Sequence, residues 1–143
     1  MLRRSFLSLA LAPRPLRLAT FAADVTPPLG APLCYGLVPP AASVADPLAA
    51  RGVVLLPAGQ PPIVLCTLDW LGIGNASRDL WRSTLAQAAR TPPDRVALHT
   101  VHQHDAPGLD LPQLSQFTAG WSGAEVEQCV VSAITKAKLA DRP

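Results

Sequence analysis

The chain has 143 residues, the size of one ordinary domain, with 49% apolar and 15% charged residues and a formal net charge of +2. That balance supplies ample core material and excludes an intrinsically disordered chain, whose composition runs the other way. Arg3, Arg4, Arg14 and Arg17 place much of the positive charge at the N-terminus. No basic stripe interleaved with aromatics follows, so a nucleic-acid partner is not expected, and no apolar run is long enough to span a membrane.

The first element is a candidate leader over residues 1–15. Met1 to Ala12 has a positive start, a short apolar stretch and small residues at Ala10 and Ala12, and Arg3-Arg4-Ser5-Phe6-Leu7 matches the twin-arginine export pattern. Export predicts a secreted or periplasmic protein. Pro13 and Arg14 cut the apolar stretch to the bottom of the usual ~7–15 residues, and the rival reading is a cytoplasmic protein with an arginine-rich start.

Leu16 to Val25 reads as a strand, ended by Thr26-Pro27-Pro28-Leu29-Gly30 because neither proline can donate to a ladder. Asp24 starts that turn. Residues 31–46 read as loop, and Asp46-Pro47 leads into two strands rich in β-branched residues, Arg51–Leu56 and Ile63–Asp69. Pro57-Ala58-Gly59-Gln60 joins them as a hairpin. The second strand is apolar on both faces, which predicts a central strand covered on both sides. Its Cys66 is expected to be a buried, inert thiol. The three cysteines Cys34, Cys66 and Cys129 are odd in number and lack metal-binding spacing.

Ser77 is a candidate cap for a helix over 78–90, with Leu80, Trp81, Thr84, Leu85, Ala88 and Ala89 on its inner face and Pro92-Pro93 as the stop. Arg95 to His102 follows as a strand. Ala124 to Lys138 reads as a second helix with Val126, Val130, Ala133, Ile134 and Ala137 inward. Strand–helix–strand implies a right-handed parallel crossover between 63–69 and 95–102. The expected fold is therefore α/β, a mixed sheet with an antiparallel hairpin and a βαβ crossover. That crossover brings Asp69 and His102 to the same sheet edge, beyond the carboxyl ends of the strands, where α/β proteins place their sites.

The chemistry concentrates in Val101-His102-Gln103-His104-Asp105-Ala106-Pro107-Gly108. On an extended strand His102 and His104 would project from one face and offer two imidazoles to one ion, with Gln103 turned away. Zinc usually takes at least three protein ligands, so two imidazoles leave a set to be completed. His99 falls on the opposite strand face and reads as a hydrogen-bonded structural histidine. Asp69 has two readings: a partner that orients a ligand imidazole, or a carboxylate accepting backbone N–H bonds at the next turn. Asp105 and Asp110 read as solvated loop acids. Asn75-Ala76-Ser77 fits a glycosylation sequon, but capping explains Ser77. Trp70, Trp81 and Trp121 could line an apolar pocket, although Trp81 suits the core better.

The succession Ala23-Asp24-Val25-Thr26-Pro27-Pro28-Leu29-Gly30, Asp46-Pro47-Leu48-Ala49-Ala50-Arg51, Leu68-Asp69 and His102-Gln103-His104-Asp105-Ala106-Pro107-Gly108 resembles the N-terminal catalytic domain of neutral/alkaline non-lysosomal ceramidases, particularly its uncharacterised bacterial branch. The resemblance runs from about Leu16 onward. It implies a zinc-dependent hydrolase of sphingolipid metabolism that cleaves an amide, releasing a fatty acid from a sphingoid base. It further implies Zn2+ as cofactor, His102 as a zinc ligand and His104 beside it in the substrate site; Asp69, which the crossover topology brings to the same edge, is the further catalytic candidate.

Two departures stand out. The family's H-T-H-S-G-P-G becomes His102-Gln103-His104-Asp105-Ala106-Pro107-Gly108, adding a negative charge and replacing a glycine. The family's remaining ligands, a histidine, a glutamate and a tyrosine, lie farther along its domain. Residues 16–143 are thus expected to be the N-terminal part of that domain, with weak metal affinity and no turnover. The partner implied is a small-molecule or lipid amide. Two other readings stay open: a different H-x-H metal hydrolase, and a non-catalytic secreted or periplasmic domain with structural histidines.

Overall fold

The computed structural model describes residues 16–109 together with residues 131, 132, 134 and 135. The expected leader at 1–15, Asp110, Trp121, Cys129 and most of the expected second helix lie outside the described residues. Strand β1 (Leu16–Asp24) pairs antiparallel with β2 (Ala49–Pro57), and β2 pairs antiparallel with β3 (Ile63–Leu68). After helix α1 (Asn75–Ala89), strand β5 (Val96–Thr100) returns parallel to β3, so the sheet order is β1-β2-β3-β5. The fold is the expected mixed α/β sheet with a hairpin and a βαβ unit. Between β3 and α1 lies β4 (Gly72–Ile73), which pairs in parallel with β6 (Gly108–Leu109) as a separate two-stranded ribbon.

Period-two alternation sorts the sheet into two faces. Ala19, Phe21 and Ala23 of β1, Ala50, Val54 and Leu56 of β2, Val64, Cys66 and Leu68 of β3, and Val96 of β5 form the buried face with Leu85, Ala86, Ala88 and Ala89 of α1. Val54, Val64, Leu68 and Leu85 are completely buried, each worth roughly 1.5–3 kcal/mol over an exposed side chain. Ile134 joins this cluster, as its inward placement in the sequence predicts.

The opposite face departs from expectation. Leu18 is 58% exposed and Leu65 43% exposed, so β3 is covered on one side only among the described residues. Its doubly apolar pattern predicts two covered faces; the described helical residues all belong to the other side. Helix α1 also differs in detail. It begins at Asn75 behind the N-cap Gly74, which supplies no side-chain cap. Ser77 therefore lies inside the first turn, with its hydroxyl buried and without a hydrogen-bond partner. Leu80 points outward at 54% exposure, because the face turned to the sheet is the arc of Ser77, Leu85, Ala88 and Ala89, and Leu80 falls outside it.

Candidate functional site

The carboxyl ends of β3 and β5 deliver chain to one sheet edge, and the site grows from how those ends are tied. Strand β5 stops at Thr100, not at His102, because His102 adopts a left-handed backbone with φ 62°. Val101 N–H still reaches Leu68 O at 3.1 Å, and His102 N–H then reaches Trp70 O at 3.0 Å. Beneath this junction Trp70 is buried, its indole N–H donating to Val25 O at 3.1 Å and its ring edge-on to Trp81 at 6.1 Å. Trp70 is thus a core pillar under the loop rather than the lining of a pocket.

The His102 Nδ1 lies 2.9 Å from Leu71 O. A carbonyl only accepts, so Nδ1 carries the proton and the neutral ring keeps its lone pair on Nε2. This is the tautomer a metal-ligating histidine adopts when a second group fixes its far nitrogen. The His104 ring stands edge-on to it with centroids 5.4 Å apart, and both residues are exposed. The two imidazoles come together through a kinked loop rather than through the strand alternation that predicts them. Among the described residues, no group of three or more His, Cys, Asp and Glu side chains is arranged to hold an ion. The donor chemistry of His102, a neutral imidazole with its Nε2 lone pair unused, is of the kind zinc takes.

Asp69 is drawn into the sheet instead of toward the imidazoles. Its carboxylate accepts from Ala49 N–H at 3.0 Å and from Arg51 at 2.5 Å. Its backbone carbonyl accepts the Gln103 side-chain amide at 2.8 Å. The group fixing His102 is thus the Leu71 carbonyl, while Asp69 acts on Gln103, the residue between the histidines. His99 lies on the open sheet face, 2.9 Å from the Thr67 hydroxyl across the parallel register. Asp24 accepts the Thr26 N–H at 2.8 Å, and these Thr26 hydrogen bonds, the side chain's first, hold its carboxyl below its ordinary range.

The far end of the loop is tied as firmly. Leu71 N–H donates to Pro107 O at 3.1 Å and Cys34 N–H to Ala106 O at 2.9 Å. The Ala106 methyl is fully buried, so its carbon is absorbed by packing. On the other side of the loop, Gln103 and Asp105 help line a cleft of about 760 Å³ that also touches Arg51, Asp69, Pro27 and Leu48.

One participant was not foreseen. Tyr35, at the turn Cys34–Gly36, lays its ring over the β4–β6 ribbon. A Cβ at Gly108 would overlap the ring, and one at Gly72 would meet the phenol oxygen at 2.5 Å. Cys34 and Tyr35 both have left-handed backbones, with φ 47° and 55°, a conformation costing roughly 1–2 kcal/mol in an L-residue. Of the described non-glycine residues with positive φ, Cys34, Tyr35 and His102 gather here, and Arg90 ends α1. The sequence signal was the pair Gly72 and Gly108 at the two loop ends, but nothing local to Tyr35 announces it.

No protein-family profile matches the chain, and no curated protein matches it significantly by sequence. Solved structures do match. The neutral ceramidase from Pseudomonas aeruginosa aligns at 18% identity with a TM-score of 0.55, covering 90% of this chain and 22% of that one. A ceramidase complexed with C2 aligns at 17% identity with a TM-score of 0.53, covering 89% and 22%. The likeness is one of fold, and this chain spans about a fifth of the length of those proteins.

Proposed function

We propose that the chain is the N-terminal part of a ceramidase-like, zinc-dependent amide hydrolase, with His102 as a zinc ligand and His104 beside it in the substrate site. The observation that carries the reading is the His102 ring, its Nδ1 tied to Leu71 O at 2.9 Å and its Nε2 left with the lone pair, 5.4 Å from a second imidazole. The fold likeness to ceramidases supports the same reading. Zinc would supply Lewis-acid polarisation of an amide carbonyl and acidification of water. His102 supplies a ligand whose orientation is set before metal arrives. His104 is free to exchange a proton with substrate, and Asp69 holds the loop between them through Gln103. A lipid N-acyl linkage is the favoured substrate class, with a secreted or periplasmic setting if residues 1–15 act as an export leader.

Calorimetric zinc titration of the whole chain tests this. His102→Asn is the variant to use, since asparagine tolerates the left-handed backbone. Weak zinc binding by the wild type that falls at least tenfold in His102→Asn supports the assignment. Unchanged binding in His102→Asn overturns it, and hydrolysis of an N-acyl substrate by this chain alone overturns the partial-domain reading.

A further inference from the structure

Tyr35 is an unusual residue to find on a half-exposed turn. Its own backbone and that of Cys34 are left-handed, and its ring occupies space that two glycines leave open. Those glycines are register partners, Gly72 of β4 opposite Gly108 of β6. Each sits beside a group that fixes the histidine loop. Gly72 follows Leu71, whose carbonyl takes His102 Nδ1 and whose N–H holds Pro107 O. Gly108 follows Pro107 itself. The Cys34 N–H, one residue before Tyr35, holds Ala106 O. Ring and backbone of the 34–35 turn thus grip both strands that close the loop. Exposed surface turns rarely keep a strained backbone unless surrounding contacts fix it, and such strain gathers at sites.

We infer that Tyr35 is a positioning residue, an aromatic clamp on the Gly72–Gly108 pair that keeps the Leu71 carbonyl aimed at His102 and so fixes the imidazole tautomer. The metal consequence rests on the proposed function; the tautomer does not. Gly72→Ala is the sharpest probe. The new methyl meets the phenol oxygen at 2.5 Å but the next ring atoms only at 3.5 and 3.8 Å, so removing the hydroxyl relieves the clash.

The test is nitrogen–proton correlation NMR of the three imidazoles in the 15N-labelled full chain, read for wild type, Gly72→Ala, Tyr35→Phe with Gly72→Ala, and Tyr35→Gly. Wild type should show His102 as the Nδ1–H tautomer. Gly72→Ala and Tyr35→Gly should turn it into a tautomer mixture, and the added Tyr35→Phe should restore it in the alanine background. Zinc affinity should follow, at least tenfold weaker in Gly72→Ala and recovered in the double variant. His99, hydrogen-bonded to Thr67 on the open sheet face, is the internal control. An unchanged His102 tautomer in Gly72→Ala, failure of Tyr35→Phe to restore it, or an equal change at His99 each overturns the clamp. A wild type that binds no zinc overturns the metal reading alone, and the tautomer pattern still decides the clamp.

Discussion

At the scale of single residues, placement decides reactivity more than residue type does. Cys66 shares its sheet face with Val64 and Leu68, and burial pushes its thiol up from 9.0 to about 12. Between those values the unfolded chain loses the proton that the folded chain keeps. The contribution of Cys66 to stability is therefore complete below pH 9 and declines as pH rises toward 12. Iodoacetamide at pH 8 should leave Cys66 unmodified in the native chain and modify it in denaturant, read by peptide mass spectrometry. The wild-type denaturation midpoint should also fall more steeply above pH 9 than that of Cys66→Ala. Rapid native labelling would show that the strand is open. Asp24 works in the other direction: held low by Thr26, it adds stability above its ordinary 3.8 that is lost as pH falls below that value.

At the scale of elements, a glycine and an aromatic form one structural unit across β1 and β2. Phe21 pairs with Gly52 in the antiparallel register. A Cβ at Gly52 would overlap the Phe21 ring and approach Leu65 O at 2.6 Å. Gly52→Ala should cost about 1–3 kcal/mol, the usual range for overpacking, measured as a lower urea midpoint. Adding Phe21→Leu should recover part of the loss, since the Leu65 carbonyl belongs to the backbone and cannot step aside. Full recovery, or no initial loss, would contradict the packing described. The two long strands and the hairpin were legible because β-branched runs and a Pro/Gly connection are local signals. Helix α1 was legible from its period, but its start was misplaced because Ser77 imitates a cap while Gly74 performs the entry. The histidine pair could be read from its spacing, although through the wrong local geometry. Tyr35 could not be read at all. Its partners lie 37 and 73 positions away, and two-residue strands carry no period.

At the scale of the whole molecule, the described residues supply the sheet and one layer that covers it, helix α1. A mixed sheet containing a parallel pair is ordinarily covered on both faces. Here Leu16, Leu18 and Leu65 stand 62%, 58% and 43% exposed on the face away from α1, with Val53, Leu55 and Ile63 half-buried between them. The register sets Leu18 beside Leu55 and Leu55 beside Ile63, and Thr20 beside Val53 and Val53 beside Leu65, so these side chains form one contiguous patch. Contiguous apolar patches on a monomer bind apolar dyes and promote association. The chain alone should therefore enhance the fluorescence of an apolar dye at neutral pH while melting cooperatively. Leu18→Thr combined with Leu65→Thr should at least halve that signal, because threonine keeps strand propensity while removing apolar surface. The melting temperature should hold, since neither leucine belongs to the buried cluster. Dye binding that persists undiminished would mean that the dye binds elsewhere, and no enhancement in the wild type would mean that the patch is already covered in solution. A sharp loss of melting temperature would mean that these leucines pack against chain on that face.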